Sequence, residues 1–133
     1  MEENKRHIAI LGSTGSIGTQ ALEVIALHAD FLAVSVLTAH HNADLLIAQA
    51  RQFVPNAVVI VNKSLYAQVR DALEDLPIKV FAGEDALEQV VAMDEIDIVL
   101  TALVGFSGLR PTLNAIRNGK HIALANKETL VVA

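Results

Sequence analysis

Three glycines at fixed spacing carry the first chemistry legible in this chain. The run Leu11-Gly12-Ser13-Thr14-Gly15-Ser16-Ile17-Gly18 has the form G-x-x-G-x-x-G. It follows a short apolar stretch, His7 to Leu11, and opens a segment whose apolar residues recur at helical spacing. A glycine turn at such a strand-to-helix junction suits a pyrophosphate. Gly12 permits the tight turn, Gly15 lacks the Cβ that would keep a phosphate off the backbone, and Gly18 lets the helix pack closely on the sheet. The helix behind presents free N–H groups and the positive end of its dipole to the anion. Thr14 and Ser16 add hydroxyls at the same mouth. Glycines near a strand end can simply make a turn; here their place in the first strand-helix unit of the chain makes them a phosphate cradle.

A second clue sits about 20 residues further on, where sites specific for NAD usually carry an acid that holds the ribose 2′-hydroxyl. This chain reads Leu37-Thr38-Ala39-His40-His41-Asn42, without an acid. A carboxylate about 4 Å from a 2′-phosphate would cost up to about 4 kcal/mol per unit charge at an effective dielectric near 20, enough to exclude NADP. Its absence permits NADP. His40, His41 and Asn42 could donate hydrogen bonds to that phosphate, and any use of the imidazoles would depend on pH. The alternative for the two histidines is a solvated loop.

These residues need a frame, and the rest of the chain supplies one. His7–Leu11, Ala33–Thr38, Ala57–Val61, Ile78–Phe81, Ile96–Thr101 and His121–Leu124 read as strands. Between them Ser16 to about Ala29, Asn42–Phe53, Lys63 to about Glu74, Asp85–Met93 and Arg110–Asn118 read as helices. In the first helix Ile17, Ala21, Val24, Ile25 and His28 share one face. In the second, Leu45, Leu46, Ala48 and Ala50 can turn inward. Gly119 stands where a helix C-terminus favours a left-handed residue. Strand-helix-strand repetition predicts an α/β fold: a doubly wound, mostly parallel sheet of the Rossmann type. No linker or repeat interrupts it, so residues 1–133 are expected to form one domain. Glu128–Ala133 reads as a helix just under way, so the chain looks cut rather than finished.

Composition sets the bounds. A chain of 133 residues that is 53% hydrophobic but only 4% aromatic must build its core from Ala, Val, Ile and Leu, the palette of buried parallel strands. Without cysteine there is neither a disulfide framework nor a thiolate metal site, which points to a reducing cytoplasm. The mixed charge of Met1 to His7 is no signal peptide, and no apolar run approaches the ~20 residues of a membrane span. A net charge of −5 without a basic cluster argues against nucleic acid as a partner.

With its far end included, the chain strongly resembles the 1-deoxy-D-xylulose 5-phosphate reductoisomerases, enzymes of the non-mevalonate isoprenoid route. The resemblance rests on Ile8–Gly18 at the front, and on Ala102-Leu103-Val104-Gly105-Phe106-Ser107-Gly108-Leu109-Arg110-Pro111-Thr112-Leu113 and Gly119–Val131 at the back. Ala125-Asn126-Lys127-Glu128-Thr129-Leu130 is its most specific block. It implies that Thr14, Gly15, Ser16 and Ile17 contact NADPH at the turn, while His40, His41 and Asn42 surround the 2′-phosphate. It further implies that Asn126 and Glu128 reach the cofactor and that Lys127 contacts a sugar phosphate substrate. The implied full-length enzyme is an NADPH-dependent oxidoreductase and isomerase, a homodimer. It rearranges 1-deoxy-D-xylulose 5-phosphate and reduces the product to 2-C-methyl-D-erythritol 4-phosphate with Mg²⁺ or Mn²⁺. One departure is the histidine pair, where many relatives carry Gly followed by Lys, Arg or Ser. Another is length: the family's metal-binding carboxylates are expected beyond Ala133, so these residues are expected to hold no metal and to turn nothing over alone.

Two other readings compete. Another NAD(P)-dependent dehydrogenase, of the homoserine dehydrogenase kind, also pairs a glycine turn with late Gly-Lys-His and Asn-Lys. A nucleotide-sensing module without a reaction of its own would need only the turn.

Overall fold

The computed structural model describes residues 5–102, 118–125 and 130–132. Its strands are β1 (Arg6–Leu11), β2 (Leu32–Ala39), β3 (Ala57–Ile60), β4 (Lys79–Ala82), β5 (Ile98–Thr101), β6 (His121–Ala125) and β7 (Leu130–Val132). The helices are α1 (Ser16–Leu27), α2 (Ala43–Phe53), α3 (Tyr66–Ala72) and α4 (Glu84–Val91), with a 3₁₀ turn, Lys63–Leu65, leading into α3. The strands form one sheet in the order β4-β3-β2-β1-β5-β6-β7. All pairings are parallel except β6 with β7.

Period-two alternation along the strands splits the core into two layers. Ile8 and Ile10 of β1 face Leu22 and Ile25 of α1, Leu46 and Ala50 of α2, and Val69 and Leu73 around α3. Ala9 and Leu11 face the other way, onto Ala86, Leu87, Val90 and Val91 of α4. Both faces of β1 are therefore covered, as a parallel sheet requires. After β4 the chain returns to the opposite flank of β1, placing β5 there. This reversal makes the C-terminal ends of β1 and β5 the topological switch point, the place where open α/β sheets bind ligands.

Three expectations need correction. Leu130–Val132 forms a strand rather than a starting helix: Ala123 pairs with Val132 and Ala125 with Leu130, and the extended Leu-Val-Val run suits an edge position. On α1 the buried positions are Gly18, Leu22 and Ile25, while Val24 and His28 face solvent. On α2 Ala48 is exposed and Gln49 is buried in its stead. The expected helix of Arg110–Asn118 lies, apart from Asn118, outside the described residues. Gly119 does adopt the left-handed conformation, with φ +76°.

Candidate functional site

The glycine turn lies between the C-terminal end of β1 and the start of α1, at the switch point. Gly12 has φ +86°, a conformation L side chains rarely adopt. A Cβ on Gly18 would run into the Gly12 carbonyl oxygen and come 2.7 Å from Ser13 Cα. Its missing side chain therefore lets α1 sit on the turn itself. Gly15 differs from both. Its φ of −76° suits any residue, and a Cβ there would meet Gly12 O at 3.8 Å, an ordinary contact. Among the described residues nothing requires glycine at that position. Gly15 is the N-cap of α1 and provides no side-chain cap to the first N–H groups of the helix. Gly15 and Ser16 are exposed, and Thr14 and Ile17 half-buried.

A buried network holds the turn from below. Ser13 N donates to Thr38 O at 2.8 Å, and Gly12 N donates to Thr38 Oγ1 at 2.9 Å. Ser13 Oγ donates to Gln49 Oε1 at 2.7 Å, and Gln49 Nε2 donates back to Ser13 O at 2.9 Å. Ser13, Thr38 and Gln49 are all buried. This role for Gln49 has no local signature, because a glutamine on a helix reads as solvent-facing until its partner, 36 residues away, is known.

At the end of β2, His40 and His41 are exposed and stand with Nδ1 atoms 3.2 Å apart, rings edge to face. In that contact one ring nitrogen donates and the other accepts. Asn42 is the N-cap of α2, and its Oδ1 accepts from Leu45 N at 3.2 Å. Capping turns the carboxamide so that its NH₂ group remains as a donor. The nearest acid along the chain, Asp44, accepts from Gln68 Nε2 at 3.0 Å.

Beside this end of β2 lies a cavity of about 760 Å³, lined by His40, Asn62, Lys63, Phe81, Glu84 and Asp85, among others. Asn62 N donates to His40 O at 2.8 Å, which fixes the start of the Lys63–Leu65 turn against the histidine segment. Lys63 rests its Cε where a Cβ on Gly83 would lie 2.7 Å away. It adds a fixed positive charge on the same cavity as His40, a residue the sequence reading did not single out. A lysine at the end of the third strand gave no signal by spacing alone.

The turn residues Thr14, Gly15, Ser16 and Ile17 and the segment His40, His41 and Asn42 thus occupy the C-terminal ends of the adjacent strands β1 and β2. Asn126, Lys127 and Glu128 lie outside the described residues. Among the described residues, no group of three or more His, Asp or Glu side chains could hold a metal ion, and no helix is long and apolar enough to cross a membrane.

Known proteins agree with this geometry. The family model for 1-deoxy-D-xylulose 5-phosphate reductoisomerase matches residues 8–133. The reductoisomerase of Bacteroides fragilis is 64% identical over 132 residues, covering 99% of this chain and 34% of the relative. That of Porphyromonas gingivalis is 57% identical over 129 residues, covering 97% and 34%. Among solved structures, the Zymomonas mobilis enzyme in complex with NADPH is 40% identical with a TM-score of 0.85, covering 93% of this chain and 32% of that one. A reductoisomerase bound to NADPH, fosmidomycin and magnesium is 36% identical with a TM-score of 0.86, covering 92% and 30%. The chain spans about a third of the length of the curated relatives it matches. With a family-wide match over nearly every residue and a Rossmann-type sheet in the same arrangement, this chain belongs to the 1-deoxy-D-xylulose 5-phosphate reductoisomerase family.

Proposed function

We propose that residues 1–133 form the NADPH-binding domain of a reductoisomerase that converts 1-deoxy-D-xylulose 5-phosphate to 2-C-methyl-D-erythritol 4-phosphate. The observation that carries this reading is Gly15, a glycine that none of the described residues requires, at the mouth of α1, where no side chain caps the helix. The space it leaves suits a pyrophosphate drawn against backbone N–H groups, with Thr14, Ser16 and Ile17 around it. NADPH, when bound, supplies the hydride for the reductive half of the reaction. The chain's own part is to hold and orient the dinucleotide. Asn42, His40 and His41 surround the 2′-phosphate as hydrogen-bonding partners, and Lys63 adds its ammonium group beside them. The position at the end of β2 where a ribose-binding acid would stand is held by His40, His41 and Asn42, and the next acid, Asp44, lies within α2. Asn126 and Glu128 complete the cofactor site in this reading, and Lys127 faces the sugar phosphate.

The residues described here do not fit a catalytic Mg²⁺ or Mn²⁺, so no step of the reaction is assigned to a metal on them. The metal, the homodimer and turnover are assigned to the whole enzyme, working on a small-molecule substrate in the cytoplasm.

A fluorescence titration with NADPH and NADH tests the reading. NADPH is expected to bind more tightly by at least about tenfold, the worth of one charge-assisted phosphate contact. Equal affinities would remove the 2′-phosphate assignment, and binding of neither would remove the cofactor role.

A further inference from the structure

Gln49 lies on the inner face of α2, which begins beside Asn42, and is only 6% exposed. Its carboxamide grips one residue twice: Oε1 accepts from Ser13 Oγ at 2.7 Å, and Nε2 donates to Ser13 O at 2.9 Å. Ser13 Oγ also lies 3.2 Å from Thr38 O. The hydroxyl has a single proton, and the shorter contact takes it, leaving Thr38 O to the Ser13 N–H at 2.8 Å. Ser13 therefore directs its amide, carbonyl and hydroxyl inward, and Thr14 to Ile17 are left to meet a ligand.

Packing alone does not explain a carboxamide at this position. A buried amide is costly unless both its donor and its acceptor are matched, and an apolar side chain of the same length would fill the space without that condition. What the amide adds is position: two bonds at fixed angles determine where Ser13, and hence the turn, sits relative to α2. We infer that Gln49 is a positioning residue, which through Ser13 sets the glycine turn at the pyrophosphate-binding height relative to the Asn42 end of the same helix. The inference rests on the cofactor reading above. It adds that one side chain, touching no ligand, aligns the two anion-binding segments.

The test is Gln49→Met in the whole chain, titrated with NADPH, NADH and adenosine 2′-monophosphate, which has no pyrophosphate. Both dinucleotides are expected to weaken alike, by roughly tenfold, the usual effect of losing a matched buried hydrogen-bond pair. Adenosine 2′-monophosphate is expected to stay within about twofold, because α2 and its N-cap remain in place. Gln49→Glu keeps the acceptor but loses the donor and adds negative charge beneath the turn, so dinucleotide binding should fall further. Ser13→Ala removes the hydroxyl half of the grip and carries the same test if Gln49→Met fails to fold. Combined, the two substitutions should weaken binding by less than the product of their separate effects. Unchanged dinucleotide binding by folded Gln49→Met would overturn the inference. So would a parallel loss for all three ligands with a lowered melting temperature, which would make Gln49 a packing residue. Failure of the unmutated chain to bind either dinucleotide is a separate result, and it overturns the cofactor reading first.

Discussion

Gly15 and Gly18 are three residues apart and answer to different constraints, which makes them separable by experiment. A methyl on Gly18 must displace the Gly12–Ser13 backbone, since Ser13 Cα and C would be 2.7 and 2.8 Å away. Gly18→Ala is expected to lose about 2–3 kcal/mol of stability, as overpacking against unyielding backbone does, measured by urea denaturation. Gly15→Ala meets no such obstacle, and its melting temperature should stay within about 2 °C of the parent, the range of surface substitutions. Its NADPH affinity should nonetheless fall by about tenfold or more, because the methyl occupies the phosphate's approach to the backbone. Normal NADPH binding by Gly15→Ala would refute that approach. Lys63→Ala separates the other anion: NADPH should weaken by roughly fivefold, with NADH unchanged, because one partly solvated charge pair is worth about 1 kcal/mol.

The element on which most of the site depends is α2. It carries Asn42 at its head and Gln49 on its buried side, and its tail is tied to the end of α3. Arg51 donates to both carboxylate oxygens of Asp75, at 3.0 and 2.8 Å, and to Ala72 O at 3.0 Å. Those hydrogen bonds hold the Asp75 carboxyl below its ordinary range. A carboxyl lowered in the folded state contributes stability above its unfolded pKa and loses it as pH falls through the folded one. Acid should therefore loosen the joint between α2 and α3, and Asp75→Asn should make the acid branch of the stability profile shallower; an identical branch would dismiss the joint. The helix ends on Val54, a β-branched residue at φ 45° and ψ 63°. Val54→Gly should raise stability by about 0.5–1 kcal/mol, since a left-handed L residue costs more than glycine's added freedom when unfolded. Much of this was legible in sequence. The Asn cap preceded an apolar-periodic run, and the alternation of strands and helices announced a parallel sheet before any pairing was known. What was not legible was phase. Ala21 and Ile25 of α1 do lie toward the core, but Val24, at 53% exposure, and His28 do not, because the facing strands, not the helical period, choose the stripe. Gln49 and Lys63 escaped for the same reason: their partners are distant in sequence, and no local spacing encodes a contact across the sheet.

For the molecule as a whole, a ligand that binds only the folded state stabilises it by mass action. NADPH at 100 times its dissociation constant should add about 2.7 kcal/mol, raising the melting temperature by roughly 10 °C, and NADH at equal concentration should add less. A thermal shift identical for the two would contradict the 2′-phosphate site. The arrangement of β1 between β2 and β5 also governs the order of assembly. Along one flank, Ile8 to Leu11 pair with Ile98 to Thr101, and His7 N donates to Asp97 Oδ2 across 90 positions of sequence. On the other flank β2 arrives within a short span of chain. A nascent polypeptide can thus join β1 to β4 early, with one side of β1 bare until the segment beyond Thr101 has left the ribosome. In pulsed hydrogen exchange the amides of Asp97 and Ala102, which donate to His7 O and Leu11 O, should gain protection after those that join β1 to β2. The C-terminal ends of β1 and β5 are thus brought together only after β1 to β4 have paired, and the glycine turn above them gains its second flank late.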